Sequence, residues 1–323
     1  MKILENNSTI KNSLLNQIRK APQIIWMIIA LILVFTIINP AYFALSNFKN
    51  ILVQSIPLII LGLAQTFVIL TEGIDLSIGG QVSFVTVMWI FLLNMGFNIF
   101  LAAIITVIIV ILIGCINGIL VAKFNIPPFI ATLGVYNVLY GVSLLLTAGA
   151  SIYFPSSIYS LISDSSILFI PFPVWIGIIL FGFAWIALYK TKFGTNIFAI
   201  GGNKEALTLA GVNTAIPIIK TYAFAAFMAA IAGLITACRI ESGQPVIALG
   251  WEFDAVAATI LGGTSFEEGK GGITGTVFGA LFIQVLKNGL NIVGISTLYQ
   301  NATIGIIVLL AIVVDACLRR YRE

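Results

Sequence analysis

The sequence predicts an all-α, polytopic membrane protein of about ten transmembrane helices arranged as two inverted repeats. Three observations carry that expectation. Of the 323 residues, 60% are hydrophobic and only 9% are charged, against roughly 25% charged in a soluble domain. The apolar runs approach the length of about 20 residues that a helix needs to cross a bilayer core, and short polar breaks separate them. Finally, the two halves match at an offset of 171 residues: Asn117-Gly118 precedes Ala131-Thr132-Leu133-Gly134 by the spacing at which Asn288-Gly289 precedes Ala302-Thr303-Ile304-Gly305.

Taken in order, residues 1–23 form a cytoplasmic N-terminal segment carrying Lys2, Lys11, Arg19 and Lys20. The apolar run that follows has no small-residue cleavage site after Asn39, so it reads as a retained first span and not a signal peptide. Spans are expected at 24–39, 51–71, 78–94, 97–121, 128–147, 168–189, 217–239, 254–263, 272–294 and 299–317. The transmembrane domain therefore occupies 24–317, with a cytoplasmic tail at 318–323. The segment 254–263 is too short to cross about 30 Å at 1.5 Å per residue without flanking residues such as Val246 to Trp251. With the N-terminus inside, thirteen of the sixteen Lys and Arg fall on the inner side, and Lys49, Arg239 and Lys287 fall outside. The positive-inside bias then places both termini in the cytoplasm and requires an even number of spans. The repeat halves run over about 51–147 and 217–317. The same offset also pairs Gly62-Leu63 with Gly233-Leu234 and Gly79 with Gly250. Because the second span runs inward and the seventh outward, the halves are inverted, an arrangement that builds transport sites at the repeat interface.

Several chemistries are excluded. There is no histidine, which removes imidazole acid–base catalysis, His metal ligation and a histidine proton relay. Cys115, Cys238 and Cys317 lie far apart in apolar surroundings, without the spacing of a disulfide framework or zinc site. No nucleophile and base arrangement marks an intramembrane enzyme. The stretch from Gly262 to Gly271 only superficially resembles a phosphate loop. Gly263 and Gly269 are separated by five residues instead of four, and Gly271, not a hydroxyl residue, follows Lys270. If ATP drives this chain, another subunit binds it.

Other features carry candidate roles. The polar connector 190–216 contains Asn203-Lys204-Glu205-Ala206-Leu207-Thr208-Leu209-Ala210-Gly211, a short helix that Asn203 would cap and Gly211 would end. It reads either as a docking element for a soluble partner or as a solvated connector. Thr71-Glu72-Gly73-Ile74-Asp75-Leu76-Ser77-Ile78-Gly79-Gly80 puts two carboxylates at membrane depth or its edge. Buried carboxylates there face a cavity or a partner, and capping a broken helix is the alternative. Gly271, Gly275 and Gly279 form a small-residue stripe for close helix packing. Further along the same span, Gln284, Lys287 or Asn288, and Asn291 form a polar stripe. Its repeat mate is Asn117. Asp75, Asn117, Gln284 and Asn288 are therefore the candidates for a translocation pathway, although asparagine amides suit interhelical bonds equally well.

Thr71-Glu72-Gly73-Ile74-Asp75-Leu76-Ser77-Ile78-Gly79, Asn117-Gly118, Ile126-Pro127-Pro128-Phe129-Ile130-Ala131-Thr132-Leu133-Gly134, Ala199-Ile200-Gly201-Gly202-Asn203-Lys204-Glu205-Ala206, Ala257-Ala258-Thr259-Ile260-Leu261-Gly262-Gly263-Thr264-Ser265 and Asn288-Gly289-Leu290-Asn291 resemble, as an ordered set over about residues 50–317, the ribose-type permeases of bacterial ABC sugar importers. The chain departs from that pattern where Phe266-Glu267-Glu268-Gly269-Lys270 adds charge and at Tyr140. The resemblance implies a multi-pass subunit of the bacterial plasma (inner) membrane with no ATPase motif and no cofactor of its own. Its partners would be a second permease copy, either identical or a paralogue, two cytoplasmic ATP-binding subunits that bind the ATP, and an extracytoplasmic solute-binding protein. No nucleic acid is involved. It also implies that the segment carrying Gly201, Gly202, Asn203, Glu205, Ala206 and Gly211 couples to the ATPase. The implied cargo is a small polar solute, a monosaccharide such as ribose. A stand-alone secondary transporter driven by an ion gradient through Asp75 or Asp315, and an ABC permease for nucleosides or branched-chain amino acids, are the alternatives.

Overall fold

The computed structural model describes residues 23–266, 269–296, 299–300, 302–307 and 309–310. The expected N-terminal segment up to residue 22, the tail, Asp315 and Cys317 lie outside the described residues. The helices are α1 (Gln23–Ile38), α2 (Leu45–Ile69), α3 (Ile78–Asn94), α4 (Ile99–Ala122), α5 (Pro128–Thr147), α6 (Ile158–Ser163), α7 (Phe172–Tyr189), α8 (Lys192–Leu209), α9 (Ala215–Ile240), α10 (Trp251–Leu261) and α11 (Ile273–Val293). Residues 302–307 are also helical. Among the described residues, six helices, α2, α4, α5, α7, α9 and α11, are long and apolar enough to cross a membrane; α1 and α3 are apolar but shorter. The chain is thus an all-α polytopic membrane protein.

Local chemistry sets the helix ends. Asn98 accepts from the Phe100 amide at 3.0 Å and caps α4, and Pro128 opens α5, where a missing N–H costs nothing. The break between α2 and α3 spans residues 70–77. It separates the two carboxylates that would share a face on a continuous helix: Glu72 points outward with a left-handed φ of 59°, and Asp75 is fully buried. The expected span at 254–263 is instead the helix α10 of 11 residues, which takes in Trp251 of the flanking stretch and remains too short to cross the bilayer core by itself. The connector 190–216 is mostly helix. Thr191 caps α8 through the Gly194 amide, α8 is interrupted by an extended residue at Asn203, and residues 210–214 join it to α9 without helix.

Packing centres on α2 and α9, two spans related by the 171-residue offset. Helix α2 packs against α9, α10 and α11, while α9 packs against α2, α3 and α4. Small residues allow these approaches. A Cβ on Gly62 would lie 2.8 Å from the Thr276 methyl, and one on Gly233 would lie 2.6 Å from Val85. Along α11, Gly275 and Gly279 abut the carbonyls of Gly262 and Ala258 on α10, so the small-residue stripe is a packing surface. Buried hydroxyls such as Thr106, Ser143, Thr221 and Thr236 donate to carbonyls four residues back, which satisfies them where no water is at hand. The α5–α7 connection carries α6, a two-residue hairpin at 166–171, and a strand (Ile152–Tyr153) that pairs antiparallel with Ser242–Gly243 after α9.

Candidate functional site

The sequence-predicted residues fall at three places. The first is a hydrogen-bond hub in the α2–α3 break. Asp75 Oδ1 accepts from the Ser77 amide at 2.8 Å and from the Ser77 hydroxyl at 2.5 Å. The same hydroxyl accepts from Gln81 Nε2 at 2.7 Å and from Asn117 Nδ2 at 2.8 Å. Ser77 therefore ties the break to α3 and to α4, and Thr132 adds α5 by accepting from the Leu76 amide. Asp75 sits between the two helices, outside either span. Burial lifts its carboxyl to about 6, against the lowering effect of the two Ser77 bonds. Asp75 Oδ2, Gln81 Oε1, Asn117 Oδ1 and the nearby Tyr222 hydroxyl have no hydrogen-bond partner among the described residues. Asp75 thus bonds the backbone of the break through Oδ1 alone.

The second place lies towards the opposite end of the bundle. Asn288 on α11 exchanges two amide hydrogen bonds of 3.0 Å with Asn47 at the start of α2. Asn47 also donates to the Tyr42 carbonyl, and the Tyr42 hydroxyl donates to the Val285 carbonyl. Asn117 and Asn288, mates by sequence offset, therefore both make interhelical bonds, in different neighbourhoods. Gln284, one turn before Asn288, instead borders a polar cavity of about 190 Å³, where its Nε2 donates to Gln54 Oε1 at 3.0 Å. Across the same cavity Lys287 is paired with Asp254. Trp251, Arg239, Asn291 and Gln300 complete the polar wall. Of these residues only Gln284 was a sequence candidate for the pathway. Gln54, Arg239, the α10 pair Trp251 and Asp254, and Gln300 come from four separate segments, and no local pattern joins those segments.

The third place is α8. After the break at Asn203, its Oδ1 accepts from the Ala206 amide at 2.8 Å, a cap on the last two turns. The turns end at Gly211, whose φ is +77°, with the Val212 amide bonded back to Leu207. Gly202, Glu205, Ala206 and Leu209 are exposed, Leu209 at 89%. Gly201 is not. It is buried where a Cβ would strike the Leu70 carbonyl at the end of α2 and lie 2.8 Å from Gly269. The part of α8 that precedes Asn203 thus packs on the end of α2 through Gly201, and the exposed turns follow it. A second cavity of about 190 Å³ lies beside them, lined by Lys204, Glu72, Asn125 and Tyr222 among others.

Residues 47–312 match the family described as branched-chain amino acid transport system / permease component. The ribose import permease protein of Haemophilus influenzae is 37% identical over 292 residues, covering 89% of this chain and 90% of that protein. The D-allose transport system permease protein of Escherichia coli is 33% identical over 293 residues, 90% of each. The galactose/methyl galactoside import permease protein of Salmonella typhimurium is 33% identical over 313 residues, 91% of this chain and 92% of its own length. No solved structure is a significant match.

Proposed function

The chain belongs to the family of branched-chain amino acid transport system permease components, and we propose that within it this chain carries a monosaccharide, ribose or a close relative, through the membrane by alternating access. It is a sugar permease subunit of an ABC importer, a multi-pass protein of the inner membrane, and such a subunit works with ATP-binding and solute-binding partners. The observation that carries the choice of sugar is the match along nine-tenths of the chain to import permeases for ribose, allose and galactose. The branched-chain amino acid in the family's description sets no cargo for this member.

In our reading the ATP is bound by the partners, two of them, beneath a pair of permease copies. The exposed turns after Asn203 dock on the ATPase. Gly201, just before those turns, contacts Leu70 and passes their motion to the α2–α3 break, and so to the bundle. The permease contributes a path and two gates, with no bond chemistry. Ten spans in two inverted halves fit this reading. Under the 171-residue offset α2 becomes α9, α3 becomes α10 and α4 becomes α11, and the packing of α2 on α10 and α11 mirrors that of α9 on α3 and α4. Both termini then lie in the cytoplasm.

The test is reconstitution in liposomes with the ATPase and binding protein. Sugar-loaded binding protein should stimulate ATP hydrolysis and ATP-dependent uptake of that sugar. Uptake that follows a proton gradient without ATP, or that responds only to a nucleoside or to leucine, would overturn it.

A further inference from the structure

We infer that the cavity between α2, α9, α10 and α11 is a monosaccharide-binding site built within a single permease protomer, so that this chain reads the sugar itself as it arrives from the binding protein. The inference rests on the sugar-import reading and adds to it a site, a ligand class and a selectivity step.

The wall chemistry selects the ligand. Gln54, Gln284, Asn291 and Gln300 line the cavity with side-chain amides, of which Gln284 Nε2 donates to Gln54 Oε1 and Gln300 Nε2 donates to Asn291 Oδ1 and to the Ile295 carbonyl. That mixture suits hydroxyl groups, which both donate and accept. Asp254 can accept from two neighbouring hydroxyls while Lys287 donates to ring or hydroxyl oxygens, and because the two are paired they add no net charge. Arg239, in the last turn of α9, is stabilised by the negative end of that helix dipole and leaves the wall with one cationic donor unpaired among the described residues. The amide-rich remainder of the wall suits a neutral, polyhydroxylated ligand, whose hydroxyl oxygens accept from Arg239 as well. A branched-chain amino acid fits poorly, since the apolar lining is confined to Leu58 and Trp251. Trp251 brings to the lining the kind of aromatic side chain that packs on the C–H face of a sugar ring.

Position agrees with chemistry. Helix α9 starts beside α8 and ends at Arg239; α2 starts near the cavity and ends at Leu70, against Gly201; α11 starts at the Tyr189 side of α8 and reaches the cavity at Gln284. The cavity is therefore at the end of the bundle opposite the docking turns, where a binding protein would deliver. It joins residues 54 and 58 of the first half to residues 239–300 of the second. Two side-chain clasps close it: Gln284 to Gln54 between α11 and α2, and Lys287 to Asp254 between α11 and α10. Sugar hydroxyls compete for these same groups, so ligand entry loosens α11 from both neighbours.

The assembled complex in proteoliposomes, with labelled D-ribose, D-allose and D-galactose as probes, tests this. First, wild-type uptake identifies the transported sugar; uptake of none of the three, with no stimulation of ATP hydrolysis, refutes the import reading and the site with it. Given wild-type transport, Trp251→Ala, Gln284→Ala and Asn291→Ala are compared after confirming that each co-purifies with the ATPase. Asn291 is exposed and its variant is the one least prone to folding defects. The site predicts that uptake at low sugar falls at least about tenfold in each, the effect of one or two unpaired polar groups, with Trp251→Phe restoring most of it. It also predicts that the transported sugar alters the intrinsic fluorescence of the permease alone in nanodiscs, a signal lost in Trp251→Phe. Wild-type uptake that all three alanine variants leave intact, or a permease whose fluorescence no transported sugar changes, would show that the cavity is not a sugar site.

Discussion

The reciprocal amide pair of Asn47 and Asn288 shows how a polar residue in an apolar span is held. Each amide supplies the donor and the acceptor that the other needs, at 3.0 Å in both directions. Replacing one with leucine strands a buried amide and should destabilise the fold by about 1–3 kcal/mol. Replacing both should cost less than the sum, with a coupling of about 0.6–2 kcal/mol. Unfolding of the single and double variants in detergent measures this, and strict additivity would refute the pair. The sequence offset singled out Asn288 correctly as a polar group inside a span, but whether its amide meets solute or another helix depends on Asn47, 241 residues away. Likewise Asp75 was legible as a buried carboxylate, while its bonds to Ser77, and the reach of Ser77 to Asn117, depended on how α3 meets α4.

Among the elements, α8 separates two structural roles that its motif runs together. Gly201 is buried against the Leu70 carbonyl and Gly269, whereas Glu205 is exposed on turns capped by Asn203. Gly201→Val should therefore lower stability and expression by overpacking, typically about 1–3 kcal/mol. Glu205→Lys should leave stability within about 0.5 kcal/mol of wild type, yet reduce binding-protein-stimulated ATP hydrolysis and uptake together. Thermal unfolding alongside ATPase assays distinguishes the two. A Glu205→Lys complex with normal stimulation would remove this residue from the docking surface. At the α10–α11 contact, Gly279→Val would drive a side chain into the Ala258 carbonyl and should be more damaging than Gly134→Val, since nothing lies within 4 Å of a Cβ at Gly134. Relative yield of folded, monodisperse protein is the readout.

At the scale of the molecule, the prediction concerns sidedness. In a cysteine-free background, Glu205→Cys should react with a membrane-impermeant maleimide only in inside-out vesicles, and Phe169→Cys, at 91% exposure in the α5–α7 connection, only in right-side-out ones. The reverse pattern would invert the topology. Composition, span length and hydrophobic runs were enough to determine that the chain is helical and crosses the membrane many times, because a bilayer leaves backbone amides no partner but their own helix. The helices at 78–94 and 128–147 match their expected bounds for that reason, with Pro128 marking one start. The family resemblance was also legible, since ordered local motifs survive without knowledge of the fold. What only the tertiary structure decided was which polar residues share a space. Gln54, Trp251, Asp254 and Gln284 meet around one cavity because close glycine contacts draw α2, α10 and α11 together, and adjacency across three helices leaves no periodic trace in any one of them.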